Sequence, residues 1–468
     1  MSFLLVLAVA AALQTWGPHP AGGMTLKQVD GGSDYYAKFS HGLPSRRSFF
    51  PIGVWFESVL SQRDVDLDKK AGLNTYVVLT GNSDLNLIHS NGMHALLQGD
   101  NSDWLPPPAK PFAGWLLGDE VDMTLGPGAG HDQMQRVADS LPSDDRIRLA
   151  NYGKGVLFWE DDPDAARFVN QYQQIVSTDL YWFTDPWQSS MQAPDWLPEG
   201  AGGDGPTISG ATVRRAANYG YQVDRVRALA AMDGKPQPVW TVIEVGWPFT
   251  QTAAEGGRQI QPAEIRAAVW QSIIAGARGI IYFNHSFGGP GQSQHVLRDA
   301  VSPGSPYAAN RAMVSAVDAQ ITALAPVLNS PSVASGWSHG PGTTAMVKWV
   351  QGKKGAKKKK CRSKAKKRTC KKAKGHTASK KHCRSRPTTK RKCRKGPGHL
   401  YVFAGSAGMA VDGRFSLPCT GNTKATVIGE NRAVPVRKGS FRDHFANGNA
   451  IHIYRIDAAS RCGRSRGA

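Results

Sequence analysis

The stretch Pro238-Val-Trp-Thr-Val-Ile-Glu-Val-Gly-Trp247 is the one from which the fold is read. Val239 to Ile243 is a short apolar run rich in β-branched and aromatic residues, the composition of a buried strand. Glu244 stands at its end, and Gly246 and Pro248 stop the strand. A buried parallel strand that delivers a carboxylate at its C-terminal end predicts the mouth of an α/β barrel, where that fold places its sites. A helix cap, or a structural pair with an Arg, would also explain Glu244 taken alone. A second strand of the same kind, Phe112 to Glu120, tips the reading toward the barrel.

Working outward, the chain alternates strand and helix patterns. Upstream strands are predicted at Phe49–Trp55, Asn74–Leu79, His94–Leu97, Phe112–Leu117, Arg146–Ala150 and Ile175–Phe183. Val239–Ile243 is the seventh and Gly279–Phe283 the eighth. Helices are predicted at Ser61–Gly72, Asp84–Asn91, Asp132–Ser140, Asp164–Gln173, Ala211–Met232, Pro262–Gly276 and Ala308–Leu328. Eight such units over roughly 280 residues match a (β/α)8 TIM barrel. A doubly wound open sheet is the alternative, but no GxGxxG follows an early strand. The Gly/Pro-rich stretch Asp185–Gly210 is long enough to be a wall of a cleft.

After Leu328 the pattern changes to short strands: Thr343–Val350, His399–Phe403, Arg414–Leu417, Ala425–Ile428 and Ala450–Ile456. They predict a small all-β sandwich domain carrying a basic, Cys-containing insertion. The resulting organisation is a signal peptide at 1–22, a lead-in at 23–47, the barrel at 48–330, the β-sandwich at 331–462 with its insertion at 353–395, and a tail at 463–468.

The chain has 468 residues and a formal charge of +21, which on its own resembles a nucleic-acid binder. The charge is local: 23 of the 57 Lys and Arg lie between Lys353 and Lys395, leaving 34 against 36 Asp and Glu elsewhere. That segment has no Phe, Tyr or Trp, so base stacking is not supported and sequence-specific nucleic-acid reading is not expected. An anionic cell-wall polymer or membrane surface is the partner its charge fits; a disulfide-tied spacer or a neutral insertion are the other readings. All six cysteines, Cys361, Cys370, Cys383, Cys393, Cys419 and Cys462, lie in the last third of the chain. No CxxC pair occurs, so zinc is not indicated, and an even count in an exported chain favours disulfides. Phe3–Leu13 is an apolar run too short to span a membrane, with Ala8-Val9-Ala10 and Ala10-Ala11-Ala12 within it as small-residue cleavage patterns, although no Lys or Arg precedes it. Secretion, to the medium or the cell surface, is the expectation.

The motifs Phe50-Pro-Ile-Gly-Val-Trp55, Gly114-Trp-Leu-Leu-Gly-Asp-Glu120, Thr241-Val-Ile-Glu-Val-Gly246 and Arg266-Ala-Ala-Val-Trp-Gln-Ser-Ile-Ile-Ala-Gly-Ala-Arg-Gly-Ile-Ile-Tyr-Phe283 together resemble the clan A retaining glycoside hydrolases, β-glycosidases and β-glucanases among them. The resemblance spans residues 48–330. It implies an acid/base Glu after the fourth strand, here Glu120, and a nucleophile Glu after the seventh, here Glu244. It also implies a Tyr near the sixth strand, here Tyr181, bonded to the nucleophile. Where the clan commonly has Asn before its acid/base, this chain has Asp119, which accepts from a sugar hydroxyl but cannot donate to it. Helix capping is the alternative role for the Asp119-Glu120 pair. Other strand-end candidates for sugar contact are Trp55, Asn151, Trp247, Asn284 and His285. Trp182, Trp187, Gln98 and Glu57 are weaker ones, and Arg266 and Arg278 read as structural pairs.

The reading from sequence is thus a secreted retaining hydrolase of β-linked O-glycosidic bonds, acting on an oligo- or polysaccharide without metal or organic cofactor. The rivals are a carbohydrate-binding barrel without turnover and an adhesion protein acting through residues 353–395. Which sugar is bound, and whether the chain self-associates, are not written in the residues.

Overall fold

A computed structural model describes residues 24–99, 111–188, 194–198, 213–352 and 398–458. The signal-peptide segment, most of Asp185–Gly210, the basic insertion and five of the six cysteines lie outside the described residues. Eight parallel strands close into a barrel: β1 (Ile52–Glu57), β2 (Thr75–Leu79), β3 (His94–Gln98), β4 (Gly114–Asp119), β5 (Ile147–Tyr152), β6 (Ile175–Thr178), β7 (Val239–Glu244) and β8 (Gly279–Phe283). The ring closes where β8 pairs with β1, from Ile52↔Ile280 to Trp55↔Phe283.

Alternation along each strand sorts the side chains. On β7, Trp240 and Val242 join Leu96, Leu116, Leu149, Ile175 and Ile281 inside the barrel. Val239 and Ile243 face outward into the core shared with the helices. Inward positions on β5 and β6 are therefore Asn151 and Ser177, continuing to Asp179. The lead-in seals the opposite end: Tyr36, Leu43 and Phe49 belong to the same interior cluster. β4 crosses β5 so closely that a Cβ on Gly114 would lie 2.2 Å from the Ile147 carbonyl oxygen.

Local chemistry sets the helices. Ser61 caps Gln62–Ala71 in a reciprocal box with Asp64, and Gly72 ends it at φ 104°. The helix expected from Asp132 begins at Gly126. The glycines there read as breakers, but Gly130 is where the helix meets Phe168, 2.8 Å from where a Cβ would be. β6 ends at Thr178, five residues short of the Ile175–Phe183 strand expected. Leu180 to Phe183 are buried and apolar, but they form a turn in which Thr184 and Asp185 both donate to the Tyr181 carbonyl. A π-helical turn, Gly155–Trp159, follows β5 and has no signature in the sequence pattern.

The C-terminal region is two antiparallel sheets. One has seven strands, including Thr343–Val350, His399–Ser406 and Ile451–Asp457, and takes in Leu26–Lys27 from the lead-in. The other has three: Ser338–His339, Val411–Ser416 and Ser440–Phe445. Between them Leu400, Val402, Phe415, Phe441 and Tyr454 form a second core. The other face of the large sheet packs on the barrel helices, with Phe403 stacked on Trp270 at 5.7 Å and Gln271 donating to the Ser406 carbonyl at 2.6 Å. Thr343–Val350 pairs along its whole length with His399–Ser406, so the basic insertion leaves and re-enters one hairpin at the Val350↔His399 pair. Among the described residues no helix is long and apolar enough to cross a membrane.

Candidate functional site at the C-terminal mouth of the barrel

The acidic residues converge where the strands end. Glu120 follows β4 and holds a left-handed backbone, φ 49° and ψ 32°. For a residue with a Cβ this costs roughly 1–3 kcal/mol, strain that concentrates at functional positions. The conformation is held by its own backbone: Glu120 N donates to Asn151 O at 3.0 Å, and its carbonyl accepts from Met123 and Thr124. Gly153 lies alongside, with Glu120 Oε1 3.3 Å from where a Cβ would be. Behind Glu120, the buried Asp122 carboxylate accepts from Gly153 N and from Val156 N, the latter at 2.8 Å, and fixes the turn after β5. Burial, with Glu120 adding to it, pushes that carboxyl up to about 6.

Asp119 is exposed at the mouth and accepts from Asn151 Nδ2 at 2.9 Å. Asn151 is itself buried and accepts at Oδ1 from Ser177 at 2.7 Å, so its amide is committed at both ends. Asp179 follows β6 on the same inward face. Burial first, then the charges of Glu120 and Asp119, hold its carboxyl well above the ordinary carboxylate range. Asp179 Oδ1 is sealed from solvent and without a partner.

Glu244 ends β7 with no exposed surface. Tyr219, on the helix Ala216–Ala230, donates to both carboxylate oxygens, at 2.6 Å and 2.8 Å, and Thr184 donates to Oε1 at 3.1 Å. Burial raises this carboxyl to about 7 against the pull of those donors. The phenol on Glu244 is thus that of Tyr219, which nothing in the sequence singled out. Tyr181 is buried in the turn that follows β6. Burial keeps its hydroxyl neutral, and the charges that act on it are Asp179, Glu120, Asp119 and Glu244. Its ring packs on Phe283 at 5.2 Å and on Phe249 at 6.0 Å.

The remaining strand-end residues are mostly engaged. Asn284 is buried, donates to Glu57 and accepts from Leu297 N at 2.7 Å. Glu57, also fully buried, meets His295 Nδ1 at 2.6 Å and Arg298 at 3.0 Å, and Arg298 continues to Asp68 at 2.6 Å. His285 is stacked on Phe287 and paired with Gln294 at 2.7 Å, and burial lowers its ring below the usual value. Trp55 is partly buried against the barrel interior. Trp247 donates to Gln251 O at 3.1 Å under the Gly288–Gly289 turn, and Trp182 is buried against Gln222. Trp187 is 49% exposed, edge-on to Phe249, and Trp159, on the π-helical turn, is 56% exposed. Arg278 is spent on Leu328 O and Asn329, a backbone cap instead of the ion pair expected.

The arrangement can hold a proton on the Asp179 carboxyl and keeps the Glu244 carboxyl hydrogen-bonded to Tyr219 and Thr184. Among the described residues no group of His, Cys, Asp and Glu is arranged to hold a metal ion.

No protein-family model matches the chain, and no curated protein matches it in sequence. Solved structures do align with it. One described as a glycoside hydrolase has 10% identity, with 88% of this chain and 93% of that chain covered, at a TM-score of 0.44. A glycoside hydrolase family 5 protein from Bacteroides vulgatus has 10% identity over 90% of this chain and 92% of its own, also at 0.44. An α-L-arabinofuranosidase from Thermotoga maritima has 8% identity over 88% and 97%, at 0.41.

Proposed function

We propose that the protein is an exported glycoside hydrolase that cleaves β-linked O-glycosidic bonds with retention of configuration. The observation that supports this reading is that Glu120 directly follows β4 and Glu244 ends β7 of a closed eight-stranded parallel barrel. Retaining hydrolysis needs two such carboxyls about 5–5.5 Å apart, one protonated and one ionised. Glu244 attacks the anomeric carbon, with Tyr219 and Thr184 orienting its carboxylate. Glu120 gives a proton to the departing oxygen, then takes one from the water that releases the sugar. The Tyr181 hydroxyl stays neutral and available as a donor near the reacting centre. Trp187 and Trp159 are the exposed rings able to stack on sugar faces.

Export is supported by the apolar run Phe3–Leu13 and by six cysteines confined to the last third of the chain. We assign the basic segment a tethering role toward an anionic cell-wall or membrane surface, on its charge alone.

The test is hydrolysis of a panel of aryl β-glycosides and β-glucans by wild type, Glu120→Gln and Glu244→Gln, with the anomer of the first product read by NMR. Loss of turnover in both variants and a first product of unchanged anomeric configuration support the reading. Undiminished turnover in both, or an inverted product, would overturn it. A second reading, a carbohydrate-binding barrel without turnover, is favoured by one observation: the Glu244 carboxylate has no exposed surface. Glycan binding with no hydrolysis by wild type on the panel would select it.

A further inference from the structure

A cavity of about 420 Å³ lies between the barrel and the sandwich domain. Its walls come from the helices Ala216–Ala230 and Pro262–Ala275, the lead-in at Lys27–Asp30 and the strand Thr343–Val350. Arg278, in its wall, immediately precedes β8, so the cavity lies toward the end of the barrel opposite Glu120 and Glu244. Small-molecule sites of about 300–1,000 Å³ occur preferentially at such domain interfaces. We propose that this cleft is a second binding site, for a carboxylated sugar ring such as a uronic acid unit of an acidic glycan. The inference does not depend on the hydrolase reading.

The charge around the cleft is one-sided. Lys348 and Arg278 are both buried, and their hydrogen-bond partners among the described residues are all neutral. Lys348 Nζ donates to Ser330 O at 3.1 Å and to Ser332 Oγ at 3.0 Å, two acceptors for three N–H groups. Arg278 donates to Leu328 O at 2.9 Å and to Asn329, and its Nε is sealed without a partner. The lining carboxylates serve other cations. Asp30 is shared between Arg227 at 2.8 Å and Lys27 at 3.6 Å, and Asp224 stands exposed 3.8 Å from Arg227. Burial first, then Arg278 and Arg227, press Lys348 to give up its proton, and Asp30 alone pulls the other way. A buried cation without a counter-charge is costly, and an anion set into the cleft relieves that cost.

The same cleft offers surfaces for a sugar ring. Trp337 is held by its indole N–H to Val333 O at 2.8 Å and stacks on His339 at 5.7 Å, so its orientation is fixed. Trp337 and Tyr221 line the cavity and are both half-buried, which leaves ring surface for a pyranose to pack on. Thr344 Oγ1 donates to Gln271 at 2.6 Å and still has a lone pair for a sugar hydroxyl. A bare anion would leave the ring surfaces unused, and a neutral sugar would leave the cations without a counter-charge. A carboxylated ring uses both.

The test is isothermal titration calorimetry of the full-length protein with three probes: glucuronate, glucose and acetate. Glucuronate is expected to bind at least about tenfold more tightly than either of the others, as a bond between charged partners requires. Lys348→Met and Trp337→Ala are each expected to weaken glucuronate at least about fivefold. Glu244→Gln, at the mouth, is expected to bind it as wild type does. If Lys348→Met does not fold, Trp337→Ala, at a half-buried position, carries the comparison. Glucose or acetate binding as tightly as glucuronate would overturn the assignment. So would the absence of saturable heat from glucuronate, or a loss of binding confined to Glu244→Gln. Glycan hydrolysis without glucuronate binding would remove this site and leave the hydrolase reading standing. Glucuronate binding that both cleft variants weaken, in a protein that hydrolyses no glycan, would do the reverse.

Discussion

Replacing Glu244 by Gln should change the pH dependence of stability as much as it changes activity. The carboxyl is fully buried and sits at about 7 in the fold against 4.5 in the open chain. Its folded value is raised, so the folded state binds the extra proton between those two values. The sign follows: the neutral form is the one the fold favours, and stability is lost as pH rises through the folded value. At 1.36 kcal/mol per unit, the ionised carboxylate costs the fold about 3 kcal/mol at alkaline pH, of which about 2.5 develops between about pH 5 and about pH 9. Gln keeps an oxygen for the Tyr219 and Thr184 donors and has no charge to bury. Urea unfolding of both proteins at those two pH values gives the answer. The variant should gain about 2.5 kcal/mol on wild type between them, becoming the more stable protein at high pH while losing its turnover. A difference in stability that does not move with pH would refute the burial argument.

Other outcomes follow from the same contacts. Tyr219→Phe removes a donor to both Glu244 oxygens, so the acid limb of the pH–rate profile, set by ionisation of Glu244 near 7, should move to higher pH by about one to two units, given about 1.5–3 kcal/mol for a bond to a charged group. An unmoved limb would show that the limb belongs to another group. Gly153→Ala would put a Cβ 2.2 Å from Met123 Sδ and 3.3 Å from Glu120 Oε1. It should fold, with kcat down by about 10–100-fold through displacement of Glu120; unchanged kcat would argue that Glu120 is not where the chemistry occurs. Arg298→Met should destabilise by about 3–5 kcal/mol, because Glu57 and Asp68 would remain buried without their shared cation. A melting temperature within a degree or two of wild type would contradict that.

Much of the barrel is legible in the residues because its strands are buried on both faces and bounded by Gly or Pro. Gly279–Phe283, Ala308–Leu328 and Thr343–Val350 fall where the patterns put them. β6 does not, because a buried turn and a buried strand share one composition; only the hydrogen bonds to Tyr181 O distinguish them. Two C-terminal strands, Arg432–Val436 in the large sheet and Ser440–Phe445 in the small one, are too polar to read as strands and are fixed by pairing with their neighbours. At the site, Glu120, Asp119, Asn151, Tyr181 and Glu244 can be picked out by their positions at strand ends. Asp179 carried a signal that was available, the period of two from Ser177 through Asp179 to Tyr181. Tyr219 carried none: it lies on a helix between β6 and β7, and only the fold brings its hydroxyl to Glu244. Asn284 shows the opposite limit, a strand-end polar residue whose amide is spent on Glu57 and the Leu297 backbone.

The central claim is that Glu244 forms a covalent bond to sugar. It is tested most directly by incubating the full-length protein with an activated 2-deoxy-2-fluoro β-glycoside of the best panel substrate, followed by peptide mass spectrometry. The account predicts time-dependent inactivation and one modified peptide, carrying the fluorosugar on Glu244 and absent from Glu244→Gln. A label on Glu120 or Asp179, or steady turnover of the parent glycoside with no labelled peptide at all, would contradict it.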